Sequence, residues 1–156
     1  MSKAKPAPKP QDLKLADFLC FAIYSANLTF GKAYKPLLDA LGLTYTQYIT
    51  VVALYEQSGQ TVSELGEKLF LESNTLTPIL KKLEAMGYVT RERSAADERQ
   101  VLVGLTNEGR ALRERAFDAD LSEACGLTSE EFAETRDAVL KLRTNLAKSL
   151  ARSPSK

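Results

Sequence analysis

Cys20 and Cys125 are the only thiols in this 156-residue chain, and it contains no histidine. Imidazole catalysis and zinc sites with histidine ligands are therefore excluded, and two thiols alone make a poor structural metal site. The C-x-x-C spacing of a dithiol redox centre is absent as well. No metal and no cofactor are expected. Two readings of the cysteines remain open: thiols acting as small buried hydrophobic side chains, or a sulfur placed to react.

The surroundings of Cys20 favour reaction. It stands in DFLCFAIYSANLTFGKAY, with Tyr24 one helical turn on and Phe18 and Phe21 beside it as walls for an apolar pocket. Tyr34 lies near the expected end of that helix, and Tyr45 comes just before the next. Phenol hydroxyls that donate to a sulfur favour its thiolate and raise its reactivity. A thiolate attacked by peroxide becomes a sulfenic acid, which condenses with a second thiol that can approach it. Cys125, in LSEACGLTSE with Gly126 beside it, reads as a loop residue between helices and suits that second role.

The elements around these residues can be read from capping and periodicity. Thr61 and Glu64 form a T-x-x-E capping box, followed at helical spacing by Val62, Leu65 and Leu69. Ser73 is the expected N-cap of a second helix, whose Leu76, Ile79, Leu80 and Leu83 make one buried face. Pro78 is expected in its first turn or just beyond, and Gly87 after Met86 is the stop. Helix, tight turn and helix in this order present the second helix to a DNA major groove. Ser73, Asn74, Thr75 and Thr77 then suit base edges near its start, and Lys81 and Lys82 suit phosphates further along. A solvated polar face is the plainer reading of any one of them.

Alternation over 88–93 and 101–105 predicts a two-stranded ribbon with Asp97, Glu98 and Arg99 near its tip. Arg91, Arg93 and Arg99 are candidate DNA contacts, with Asp97 holding either the Arg99 guanidinium or the loop. Bulk charge gives no support: the whole chain carries +1, and residues 61–110 hold seven basic against eight acidic side chains. A basic surface must come from geometry, helped by helix N-termini that donate to phosphate without a charged side chain.

The stretch TVSELGEKLFLESNTLTPILKKLEAMGYVTRERSAADERQVLVGLTNEGRAL resembles the winged helix of the MarR family of bacterial transcription regulators, most specifically through D-x-R at the wing followed by L-T-x-x-G. From residue 13 to about 150 the chain resembles one branch, the organic-hydroperoxide resistance repressors of the two-cysteine type. The resemblance implies a cytoplasmic homodimer that holds a pseudo-palindromic double-stranded operator and represses transcription. It implies that Cys20 is the peroxide-sensing cysteine, that Tyr34 and Tyr45 hydrogen-bond its sulfur, and that Tyr24 is a third aromatic beside it. Cys125 matches the resolving cysteine, which would form a disulfide with Cys20 of the other subunit and release DNA. No turnover as an enzyme is implied.

The expected fold is mainly α with a small β wing: a winged helix-turn-helix over about 46–106, flanked by dimerisation helices over about 13–34 and 107–150. Lys14 to about Tyr34 should be helical and broken by Pro36, and Thr46 to Gln57 helical with Ile49, Val52 and Ala53 on one side. Asn107 to Leu121 should be helical, and Thr128 with Glu131 opens a last helix striped by Phe132, Val139, Leu142, Leu146 and Leu150. The first and last helices lack a partner within the winged helix, so pairing across a two-fold axis would bury both and set the recognition helices one DNA turn, ~34 Å, apart. Residues 1–12, rich in Lys, Pro and Ala, and 152–156 read as tails; no run is long enough to span a membrane. Three other functions fit the composition: a regulator released by a small phenolic ligand, a thiol peroxidase cycling Cys20 and Cys125, and an architectural DNA binder with inert thiols.

Overall fold

The computed structural model describes residues 13–116 and 123–152, which fall into two compact units, one ending at Ala116 and one beyond it. The expected tails, apart from Arg152, and the end of the helix expected to reach Leu121 lie outside the described residues. No single helix among the described residues is long and apolar enough to cross a membrane.

After a 3-10 turn at Leu15–Asp17, helix α1 runs Leu19–Leu41, with Pro36 inside it and Gly42 as its cap. The expected break at Pro36 is therefore wrong. Proline removes one hydrogen bond but keeps a helical φ, and the turn after it is anchored by Leu38, buried in the core, with Leu37 and Leu41 packed on the same cluster. Helix α2 is Tyr45–Glu56, one residue earlier at each end than expected. Thr44 caps it, accepting from the Gln47 backbone N–H (3.3 Å) while the Gln47 side chain accepts from the Thr44 N–H (2.9 Å). Its buried residues are Gln47, Tyr48, Thr50, Val51, Ala53 and Leu54, almost all round the helix, whereas Ile49 and Val52 are only half-buried. A single apolar side was the wrong expectation because neighbours surround α2, which packs on α1, α3, α4, α5 and the sheet.

The reading head follows. Helix α3, Val62–Leu69, starts at the expected Thr61–Glu64 box, and α4, Ser73–Ala85, buries Leu76, Leu80 and Leu83. The N-cap of α4 is Glu72, not Ser73, and no side chain caps it; the Leu76 and Thr75 N–H groups bond to the Glu72 carbonyl instead. That shift puts Pro78 in the second turn, at the sixth helical residue. Gly87, at φ 81°, closes α4 as expected, with Tyr88 N–H bonding back to Leu83 O at 3.0 Å.

The sheet has three strands, not two: β1 Gln60–Thr61, β2 Val89–Arg93 and β3 Val101–Leu105, in the order β1-β3-β2 and all antiparallel. A two-residue strand has no alternation to read, and its partners Val103 and Leu102 lie some forty positions away in the chain, so β1 left no local signal. Helix α5 follows at Asn107–Ala116. Its join to the wing is tight. The Thr106 hydroxyl donates to Gly87 O (2.7 Å) and accepts from Gly109 N–H (3.0 Å), while Thr106 N–H bonds to Tyr88 O (3.1 Å). A Cβ on Gly109 would run into the Tyr88 carbonyl and sit 2.6 Å from Leu105 Cδ1.

In the second unit, a 3-10 turn at Glu123–Cys125 precedes α6, Ser129–Arg152. The Thr128–Glu131 capping box forms as expected, at 2.8 and 3.2 Å. None of the residues of α6 is buried, and Val139, Leu146 and Leu150 are exposed.

Candidate functional site

Two sites emerge, a polar surface on the head and the surroundings of the sulfurs. On α4 the buried leucines leave Ser73, Asn74, Thr75, Lys81 and Lys82 exposed on one side. Thr77 is half-buried, and its hydroxyl donates to Ser73 O at 2.7 Å, so it stiffens the first turn. Pro78 offers no N–H to the Asn74 carbonyl, the usual partner four residues back. The outer start of the helix is thus rich in small polar groups with few internal claims on them.

The wing brings a second set of side chains alongside. Its tip is built by Ser94 and Asp97. Ser94 Oγ accepts from the N–H groups of Ala96 (3.2 Å) and Asp97 (3.4 Å), and Ser94 N–H bonds to Gln100 O (2.9 Å). Asp97 does both jobs considered for it: its carboxylate accepts from Arg99 N–H at 3.1 Å and lies 3.6 Å from the Arg99 guanidinium. The Arg99 side chain is 95% exposed and held only by this long ion pair, so it can reach outward. Arg93 is exposed too. Arg91 differs: its Nε (2.9 Å) and a terminal nitrogen (2.6 Å) both donate to one Glu84 oxygen on α4, turning it back onto the helix.

The sulfurs sit elsewhere. Cys20 is exposed in the first turn of α1, with Phe18 and Tyr24 also exposed and Phe21 half-buried; the Phe21 and Tyr24 rings are 6.4 Å apart. Tyr34 instead joins Tyr45 (5.3 Å between ring centroids) and Tyr48 (6.2 Å) at the far end of the helix. Fourteen residues of continuous helix separate Cys20 from Tyr34, about 21 Å at ~1.5 Å per residue. Within one chain only Tyr24 stays near the sulfur, so the structure does not bring the three tyrosines and Cys20 together in a single protomer. The Tyr34–Tyr45–Tyr48 cluster itself was missed, although Tyr48 four positions before the expected buried Val52 was a readable hint. Cys125 is half-buried at the end of its 3-10 turn, in a short helix where a loop was expected. No group of three or more metal-ligating side chains occurs among the described residues.

A helix-turn-helix followed by a β wing defines a winged-helix protein, and the comparisons place it further. Residues 32–115 match the family model described as transcriptional regulator SarA/Rot. An organic hydroperoxide resistance transcriptional regulator of Bacillus subtilis is 48% identical over 106 residues, covering 68% of this chain and 72% of that one. Reduced AbfR bound to DNA, from Staphylococcus epidermidis, has a similar structure: TM-score 0.76, 36% identity, 90% of this chain and 98% of that one. AbfR with a disulfide formed matches at TM-score 0.63, with 37% identity, 88% of this chain and 93% of that one. A mutant MarR of Escherichia coli complexed with operator DNA matches at 0.71, with 25% identity, over 80% of this chain and 92% of that one. The chain belongs to the SarA/Rot family of winged-helix transcriptional regulators, and the expected kinship with MarR-type regulators is borne out.

Proposed function

We propose that this regulator is a homodimeric repressor that holds operator DNA while its thiols are reduced and lets go when an organic hydroperoxide oxidises Cys20. The observations that carry the reading are the exposed polar start of α4 and a wing whose Arg99 side chain stands exposed at its tip. In this reading Ser73, Asn74, Thr75 and Thr77 approach base edges and phosphates, while Lys81, Lys82, Arg93 and Arg99 meet the phosphate backbone or the neighbouring groove. The exposed apolar residues of α1 and α6 supply the interface with a second copy.

The dimer also answers the separation of the sulfur from its phenols. Because Tyr34 lies about 21 Å along the same helix, the hydroxyls that favour the Cys20 thiolate are those of Tyr34 and Tyr45 of the partner subunit, with Tyr24 completing the wall. The thiolate attacks the hydroperoxide: the O–O bond breaks, sulfur takes the hydroxyl oxygen as a sulfenic acid, and the alkoxide leaves with a proton as an alcohol. Cys125 of the partner subunit then displaces water and closes a disulfide. Bringing two sulfurs to about 2 Å requires the backbone to move, which carries the reading heads off operator spacing. Forfeiting the ~4–10 kcal/mol that separates specific from non-specific binding empties the operator. A small-molecule thiol reverses the step by reducing the disulfide. Support comes from AbfR, solved both reduced on DNA and with a disulfide formed.

The test follows DNA binding and intersubunit crosslinking together as the dimer is titrated with cumene hydroperoxide. Wild type releases DNA as a reducible dimer band appears. Cys20→Ser binds DNA and ignores the peroxide, and Cys125→Ser oxidises without the crosslink. Release by the Cys20→Ser variant, or an oxidised wild type that grips DNA as tightly as the reduced one, removes the reading.

A further inference from the structure

Arg91 stands on β2 in alternation with Val89 and Arg93, on the side that faces α4, while Thr90 and Glu92 face away. Its side chain is three-quarters covered, and two of its nitrogens converge on a single Glu84 oxygen at 2.9 and 2.6 Å. Glu84 lies one residue from the end of α4, so this pair ties the last turn of the recognition helix to the middle of the wing. Along the chain the turn through Gly87 joins them, and Val89 shares the buried cluster of the α4 leucines; the ion pair adds a directional tie further out. An acid at that place is costly for a DNA-binding surface unless something else requires it: alone, its charge repels phosphate.

We propose that Glu84 and Arg91 are a strut that sets the angle between recognition helix and wing, so that Arg91 governs operator recognition as a positioning residue without touching DNA. The inference rests on the operator-binding reading above and sharpens it. Two converging N–H donors on one oxygen fix direction as well as distance. With the strut made, the wing tip and the start of α4 present to the same duplex at one fixed separation. Without it, each still binds phosphates, but they do not register on one sequence together. The strut therefore contributes to the difference between specific and non-specific binding, not to the shared electrostatic part.

The sign of one substitution separates this from direct contact. Glu84→Gln is isosteric and removes a negative charge beside the DNA; if Arg91 is a phosphate contact merely restrained by Glu84, the variant binds DNA more tightly. As a strut it binds its operator more weakly. The experiment uses the full-length reduced dimer and a duplex selected by the wild type from random sequence, with a scrambled duplex as the non-specific probe. Fluorescence anisotropy is read across a salt series, and thermal midpoints confirm folding. Glu84→Gln and Arg91→Ala are each expected to lose about tenfold on the selected duplex, a coupling usual within one hydrogen-bonded network. Binding to scrambled DNA and the salt slope should stay unchanged, and the swapped pair Glu84→Arg with Arg91→Glu should regain most of the loss. Tighter binding by Glu84→Gln, or an Arg91→Ala slope reduced by about one per phosphate contact, overturns the strut. A wild type that selects no sequence at all defeats the operator reading itself, and is seen before any variant is made.

Discussion

The Glu64 carboxylate accepts from both the backbone N–H and the hydroxyl of Thr61, each at 2.8 Å, and these hydrogen bonds hold its pKa below the ordinary 4.5. Glu131 is lowered by the same pair of bonds from Thr128. A folded-state pKa below the unfolded one means stability that is complete above the unfolded value and drains away as pH falls through the folded one. Glu64→Gln should therefore flatten the acid-side fall of the thermal midpoint while leaving the neutral-pH shape alone; an unchanged acid limb removes this account. Both boxes could be read directly from T-x-x-E, because a capping box is a contact between residues three apart. So could the exposure of Asn74, Lys81 and Lys82, which follows from the leucine face opposite. The engagement of Arg91 could not: its partner lies on a different element across the Gly87 turn, where no single helix or strand period applies. Tyr34 illustrates the same limit more sharply, since its sequence position did not reveal that its ring packs with Tyr45 and Tyr48 and not beside Cys20.

At the scale of elements, local signals were reliable where the cause was local. Helix α3, the leucine face of α4, the Gly87 stop and strand β3 stand where periodicity and turn chemistry put them. Errors occurred where tertiary packing overrode a local preference. Pro36 should end a helix by propensity, yet α1 continues because Leu38 is buried beyond it. The T-x-x-Q box at Thr44 and Gln47 was readable but passed over, and it moves the start of α2. Thr44→Ala should cost ~0.5–2 kcal/mol, seen as a lower midpoint in chemical or thermal unfolding, with secondary-structure content intact. Because α2 packs against four other helices and the sheet, that loss should appear in the global transition; confinement to fraying of one helix end would show that α2 is not central.

Across the whole molecule, the apolar residues that the described chain leaves uncovered are concentrated in the first half of α1, at Leu19, Ile23 and Leu28, and along α6, at Val139, Leu146 and Leu150. The sequence showed that these stripes exist, and their residues are exposed among the described ones. If a second copy covers them, Leu146→Asp shifts sedimentation toward monomer and takes operator affinity down with it, since one head alone grips half a site. A variant that stays dimeric with full affinity moves the interface off α6.

The junction at Thr106 and Gly109 has a mechanical corollary. One threonine hydroxyl is donor to the end of the recognition-helix turn and acceptor from α5, and the helix lies so close to the Tyr88 carbonyl that no side chain fits between them. A junction made this way leaves little slack between α5, the wing and the turn that ends α4. The L-T-x-x-G signature is the written form of that close fit.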